Sequence, residues 1–193
     1  MDNSIDILDK QISKSQFKEF LLKRNKEWIK KKDGSSIING SLRAVVLGCI
    51  DSRVPIEKIF QAKPGELLVL KNAGNIITLD VLRSILVAIY ELDAKFIVIM
   101  GHTECGMAIL DNENKIDHLK EKLGDKLLET LEKIGNKDPL DWFGFFNQGK
   151  WNENAKEQAK SIQKFLDENI PKENQPEIIT MLYNLESGEV EFI

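Results

Sequence analysis

The period of the apolar positions changes along the chain. Ile5, Leu8 and Ile12, then Phe17, Leu21 and Trp28, recur at spacings of three, four and seven, with Lys and Glu between them. That stripe predicts an amphipathic helix over residues 5–32. Lys30-Lys31-Lys32 suits a helix C-terminus, and Asp33-Gly34-Ser35-Ser36 ends it. Beyond it, Ala44–Cys49, Leu67–Leu70 and Phe96–Met100 are short, continuous apolar runs. Strands covered on both faces read this way. Pro55–Phe60 opens with a proline suited to a first helical turn. Residues 79–92 carry Val81, Leu82, Ile85, Leu86, Ala88 and Ile89, apolar nearly all round and therefore buried. Strands separated by helices of this length predict βαβ units and a parallel sheet.

Residues 115–135 predict a charged helix, and 142–151 an irregular aromatic stretch. Residues 154–169 predict an amphipathic helix with Ala155, Ala159, Ile162 and Leu166 on one face. Ile178–Leu185 and Glu189–Ile193, around Glu186-Ser187-Gly188, predict a hairpin or an edge pair. The expected class is α/β: a mostly parallel central β-sheet flanked by helices, with a C-terminal antiparallel edge strand. An N-terminal helical arm, residues 1–40, would precede an α/β domain over residues 41–193.

Composition narrows the function classes. Among 193 residues, 42% are hydrophobic and 30% charged, as in soluble globular proteins. A formal net charge of −4 excludes the strongly basic footprint of a general nucleic-acid binder. The longest apolar run, Ile85–Tyr90, falls far short of the roughly 20 residues that a membrane-spanning helix needs. The acidic start, Met1-Asp2-Asn3-Ser4-Ile5-Asp6, has no apolar signal region, so a cytoplasmic location is expected. There the two cysteines, Cys49 and Cys105, stay reduced.

Candidate chemistry gathers at two strand ends. Cys49-Ile50-Asp51-Ser52-Arg53 closes the first strand, and Gly101-His102-Thr103-Glu104-Cys105-Gly106 follows the third. Open parallel sheets bind ligands beyond the carboxyl ends of their strands. His102 and Cys105, three residues apart, can reach one ion, and Cys49 arrives from another strand. Two thiolates and one imidazole with a fourth position open is the pattern of a catalytic zinc site. A buried cysteine is often only a small hydrophobe, and one H-x-x-C is a weak signal. The convergence of both cysteines with one of two histidines carries the assignment. The other, His118, lies in a charged stretch and reads as a surface residue. Asp51 and Arg53 could form a bidentate pair. Such a pair is either an ordinary ion pair or a device holding Asp51 ionised and away from the metal. Gly144–Lys150 has the glycine and lysine spacing of a phosphate loop, but Trp151 replaces the hydroxyl residue and no apolar strand precedes it.

These residues together resemble the β-class carbonic anhydrase family, in its compact archaeal and bacterial branch. The resemblance rests on Cys49-x-Asp51-Ser52-Arg53, Lys71-Asn72-Ala73-Gly74-Asn75 and Gly101-His102-Thr103-x-Cys105-Gly106, in family order. It extends to Trp142-Phe143-Gly144, Glu153-Asn154 and the strand pair around Gly188. The family's usual small residue in the penultimate strand is Thr180 here. The resemblance implies a Zn2+ site at Cys49, His102 and Cys105, and a catalytic dyad of Asp51 and Arg53. It implies substrate contacts at Asn72, Gly74 and Gly106, and reversible hydration of carbon dioxide to bicarbonate by zinc-bound hydroxide. It also implies a homodimer or higher homo-oligomer, with the N-terminal helix embracing a neighbour. Three-histidine carbonic anhydrase sites lower the pKa of zinc-bound water to about 7. Two thiolates would acidify it less, and Asp51 would offset this as hydrogen-bond acceptor. The nearest rival is a hydrolase of carbonyl sulfide or carbon disulfide on the same site. A non-catalytic zinc-stabilised module and a redox protein are the others, and no C-x-x-C supports the last.

Overall fold

The computed structural model describes residues 13–31, 40–109, 115–135 and 142–193. The chain divides into two compact units after Ser36. In the first, α1 (Lys14–Lys31) ends on Lys30 and Lys31, cations placed where the helix dipole favours them. Its Phe17, Leu21 and Trp28 are about half exposed. The Arg24 guanidinium lies 4.6 Å from the centroid of the Phe20 ring. The first part of the predicted helix, residues 5–12, lies outside the described residues.

The second unit begins β1 (Ala44–Cys49), α2 (Ile56–Ile59), β2 (Leu68–Asn72), α3 (Leu79–Tyr90), β3 (Phe96–His102) and β4 (Ala108–Ile109). It continues α4 (Lys115–Leu123), α5 (Asp125–Gly135), β5 (Phe146–Asn147), α6 (Trp151–Asn169), β6 (Glu177–Tyr183) and β7 (Val190–Phe192). The main sheet has the order β2-β1-β3-β6-β7. Its first three pairings are parallel, and β7 runs antiparallel to β6 at the edge. Alternate residues of β1 enter two cores. Val45 and Leu47 pack with Val81 and Ile85 of α3 and with Ala155, Ile162 and Leu166 of α6. Val46 packs with Val98, Met100, Val54 and Ile56 on the opposite face. Cover on both faces explains why these strands read as continuous apolar runs rather than as alternation. The mostly parallel sheet with its antiparallel edge is therefore the predicted α/β class.

Some boundaries differ from the sequence expectation. β3 continues two residues past Met100 to His102, because hydrogen bonding to β6 persists as far as the His102–Tyr183 pair. The predicted helix over 115–135 is two helices. Gly124 adopts a φ of +78°, and its N–H donates to the Lys120 carbonyl, which closes α4. α6 starts three residues early, at Trp151. The aromatic stretch contributes β5, which pairs in parallel with β4; two residues are too few to leave a sequence period. Thr180 donates its hydroxyl hydrogen to the Ile193 carbonyl, tying the C-terminus to β6. Among the described residues, no helix is long and apolar enough to cross a membrane.

Candidate metal centre

The register of β1 against β3 places the candidate ligands. Gly48 lies opposite Met100, so Cys49 and His102 emerge at the same carboxyl end of two neighbouring strands. After His102 the chain turns back through Glu104, whose φ is +54°, and this return brings in Cys105. The Cys49 and Cys105 sulfurs are 3.8 Å apart. The three candidate ligand atoms lie within 4.8 Å of one another, and all three residues are buried.

The donor set fits a zinc ion. Two sulfurs, each about 2.3 Å from a tetrahedral ion, stand about 3.8 Å apart, as they do here. His102 Nδ1 lies 2.8 Å from the Thr103 carbonyl oxygen. A carbonyl only accepts, so Nδ1 carries the proton and Nε2 keeps its lone pair. Nε2 is buried and has no hydrogen-bond partner among the described residues. A buried imidazole nitrogen left bare, beside two thiols, is the environment an ion would complete. Thr103 is itself anchored: its N–H donates to Tyr183, and its hydroxyl oxygen accepts from the Leu185 N–H at 3.0 Å.

The two thiols titrate as a pair. Cys49 is held well below an ordinary thiol, chiefly by a hydrogen bond from Cys105, then by His102, against the effect of burial. Cys105 is pushed up, because its proton is held in the bond to Cys49 and burial disfavours a second charge. One thiolate forms readily, and a bound dication is what would stabilise the second.

Asp51 and Arg53 form the bidentate pair. Arg53 Nη2 donates to Asp51 Oδ2 at 2.8 Å, and Arg53 Nε and backbone N donate to Oδ1 at 3.1 and 2.8 Å. These bonds hold the Asp51 carboxyl at about 2, below its ordinary 3.8. Arg53 also donates to the Glu104 carbonyl at 3.1 Å and sits 3.6 Å from its carboxylate. It thereby links the loops that follow β1 and β3. Lys71 Nζ donates to the carbonyls of Asp51 and Val54, at 3.1 and 2.8 Å, bracing the Asp51 loop from β2. Sequence reasoning gave no role to Glu104 or Thr103, which act largely through backbone carbonyls that any residue supplies. Lys71 stands out in sequence only as part of the Lys71–Asn75 motif, because its target, the Asp51 carbonyl, lies 20 positions away.

The other predicted residues are less uniform. The Asn72 side chain is engaged at both ends by the Ile76 backbone, at 2.7 and 3.0 Å. Gly74 has a φ of +74°, and its carbonyl accepts from Asn154 Nδ2 at 3.1 Å, in the turn that follows Asn72, the β2 residue opposite Cys49. Gly106 is exposed, with open space where a Cβ would stand. His118 lies in α4, its side chain outside the described residues. Lys150 donates to Glu153 at 2.8 Å, an ordinary helix-start ion pair.

A sequence model of the family described as carbonic anhydrase matches residues 44–190. The chain belongs to the β-class carbonic anhydrase family. Among curated members, a putative carbonic anhydrase of Bacillus subtilis, YvdA, is 38% identical over 101 residues, 49% of this chain and 51% of the relative. A carbon disulfide hydrolase of Saccharolobus solfataricus is 30% identical over 135 residues, 62% of this chain and 65% of the relative. The chain thus matches between half and two thirds of the length of these two relatives. The fold is that of β-carbonic anhydrase isoform I from Trichomonas vaginalis. That structure superposes with a TM-score of 0.67 at 23% identity, covering 94% of this chain and 98% of the other.

Proposed function

We propose that the chain catalyses the reversible hydration of carbon dioxide to bicarbonate, with Cys49, His102 and Cys105 as zinc ligands and Asp51 and Arg53 as the catalytic pair. The observation that carries this reading is the pair of sulfurs at zinc spacing around a bare, buried imidazole nitrogen. A zinc ion held there would supply the Lewis acidity that lets a water at its fourth position lose a proton near neutral pH. Asp51 stays ionised, so near that position it accepts a hydrogen bond and orients the nucleophile. Arg53 clamps both carboxylate oxygens and keeps Asp51 from closing on the metal. Glu104 and Lys71 steady the two loops. Gly106 leaves room for a small linear substrate, while Asn72 and Gly74 form the turn behind Cys49. We also assign the chain to the cytoplasm, where both thiols stay free, and to a homo-oligomer in which α1 covers its exposed Phe17, Leu21 and Trp28.

The carbon disulfide hydrolase relative supports a second reading, because carbon disulfide is isoelectronic with carbon dioxide and the same ligands would serve. Stopped-flow hydration of carbon dioxide, run beside carbon disulfide hydrolysis on zinc-loaded protein, separates the two. The expected result is rapid hydration with little or no hydrolysis. Hydrolysis without hydration would favour the second reading, and neither activity would leave only a structural zinc module.

A further inference from the structure

The spacing that suits a zinc ion also suits a bond between the two sulfurs. Cys49 and Cys105 are the only cysteines of the chain, and their sulfurs stand 3.8 Å apart. A disulfide needs about 2.05 Å, so each sulfur would move by less than about 1 Å. The two backbones are held differently. Cys49 is the last residue of β1 and pairs with Asn72 of β2. Cys105 lies past the end of β3, between Glu104, whose φ is +54°, and Gly106, where a Cβ would meet nothing within 4 Å. Cys105 thus sits on a loop with free space beside it and can make most of the movement. Both residues are buried. Burial shuts out bulky oxidants, but not hydrogen peroxide, a small neutral molecule of the size that a carbon dioxide site admits. A thiol oxidised beside a second thiol forms a disulfide before further oxygen adds.

We propose that Cys49 and Cys105 are a redox modification site: a peroxide joins them in a disulfide, and the metal ion they hold is released. The inference rests on the reading of both as metal ligands. One sulfur, as thiolate, attacks the O–O bond, keeps one oxygen as a sulfenic acid and releases the other, with a proton, as water. The second sulfur then attacks the first, the S–O bond breaks, and a second water leaves. Two thiols lose two hydrogens and two electrons, and one peroxide becomes two waters. A disulfide offers no thiolate to a metal, so His102 is left as the one remaining ligand of three, and the ion departs. In a reducing compartment the bond is transient, reopened by a dithiol, as disulfides that sense oxidants are.

The test exposes the zinc-loaded full chain to hydrogen peroxide, blocks the remaining thiols with an alkylating agent and reads the intact mass, while a chromophoric chelator follows free zinc. The expected result is loss of both alkylatable thiols and of two hydrogens per chain, with one zinc freed for each disulfide. Dithiothreitol and added zinc should restore both thiols and the bound ion. Metal-stripped protein should cross-link faster, because no ion occupies the sulfurs. Cys105→Ser should instead gain oxygen at Cys49, with no bond within the chain. Full alkylation after peroxide overturns the proposal. So does oxygen added to a parental cysteine without a cross-link, or a bond between chains in place of one within. The same samples separate the premises. A parent that binds one zinc, loses it in Cys49→Ser and Cys105→Ser, and forms no cross-link refutes only the redox site. A cross-link that forms equally fast with and without zinc, and frees none, refutes Cys49 and Cys105 as ligands and the release with them.

Discussion

At the scale of single residues, the site depends on a few side chains whose chemistry was visible before their geometry. Cys49, Asp51 and Arg53 were legible as a strand-end cluster because strand ends in parallel sheets are where ligands bind. Their partners were not legible, because Arg53 is tied to the Glu104 carbonyl and His102 to that of Thr103, bonds that leave no trace in residue type. Arg53→Ala is expected to cut carbon dioxide turnover by about 10²–10⁴, the usual weight of a positioned acid–base group, while zinc stays bound. The same variant should free the Asp51 carboxyl. Its folded pKa is depressed, to about 2 from 3.8, so the stability that the pair contributes is fully present above pH 3.8 and is lost as pH falls through about 2. Carboxyl titration by NMR should find the Asp51 midpoint rising toward 3.8 in Arg53→Ala. An unmoved midpoint would show that Arg53 is not what holds it down.

At the scale of elements, strands and helices were legible where one period persists, and their ends were not. α3 reads as buried all round, but only the face carrying Val81, Ile85, Ala88 and Ile89 packs into the core beside β1, and Leu79, Val87 and Tyr90 are exposed. The charged stretch that becomes α4 and α5 kept a helical period across Gly124, so the break is a backbone event rather than a change of pattern. Gly124→Ala places a Cβ at a φ of +78° and should cost about 1 kcal/mol in denaturant unfolding, with little effect on activity. A neutral or stabilising result would mean that the two helices can fuse. α1 raises a different question, since its apolar face is exposed in the single chain. Deleting residues 1–32 should lower the sedimenting mass of the assembly. An unchanged oligomer would refute the role proposed for this arm.

At the scale of the whole molecule, a parallel sheet brings together residues that lie 56 positions apart in sequence, Cys49 and Cys105, by ending two neighbouring strands at one edge. The order β2-β1-β3-β6-β7 puts these two strands side by side, and β6 then braces the loop that returns Cys105. Strand alternation alone predicts a parallel sheet but leaves strand order open, so the convergence had to be read from chemistry. Metal binding to such a site couples to folding, because the three ligands come together only in the native sheet. The most direct measurement is stopped-flow carbon dioxide hydration on metal-stripped protein titrated with zinc, for the parent and for Cys105→Ser. The account predicts a rate that rises from near zero to a plateau at one zinc per chain in the parent, and no such rise in Cys105→Ser. Activity that ignores zinc, or a Cys105→Ser titration that matches the parent, would contradict it.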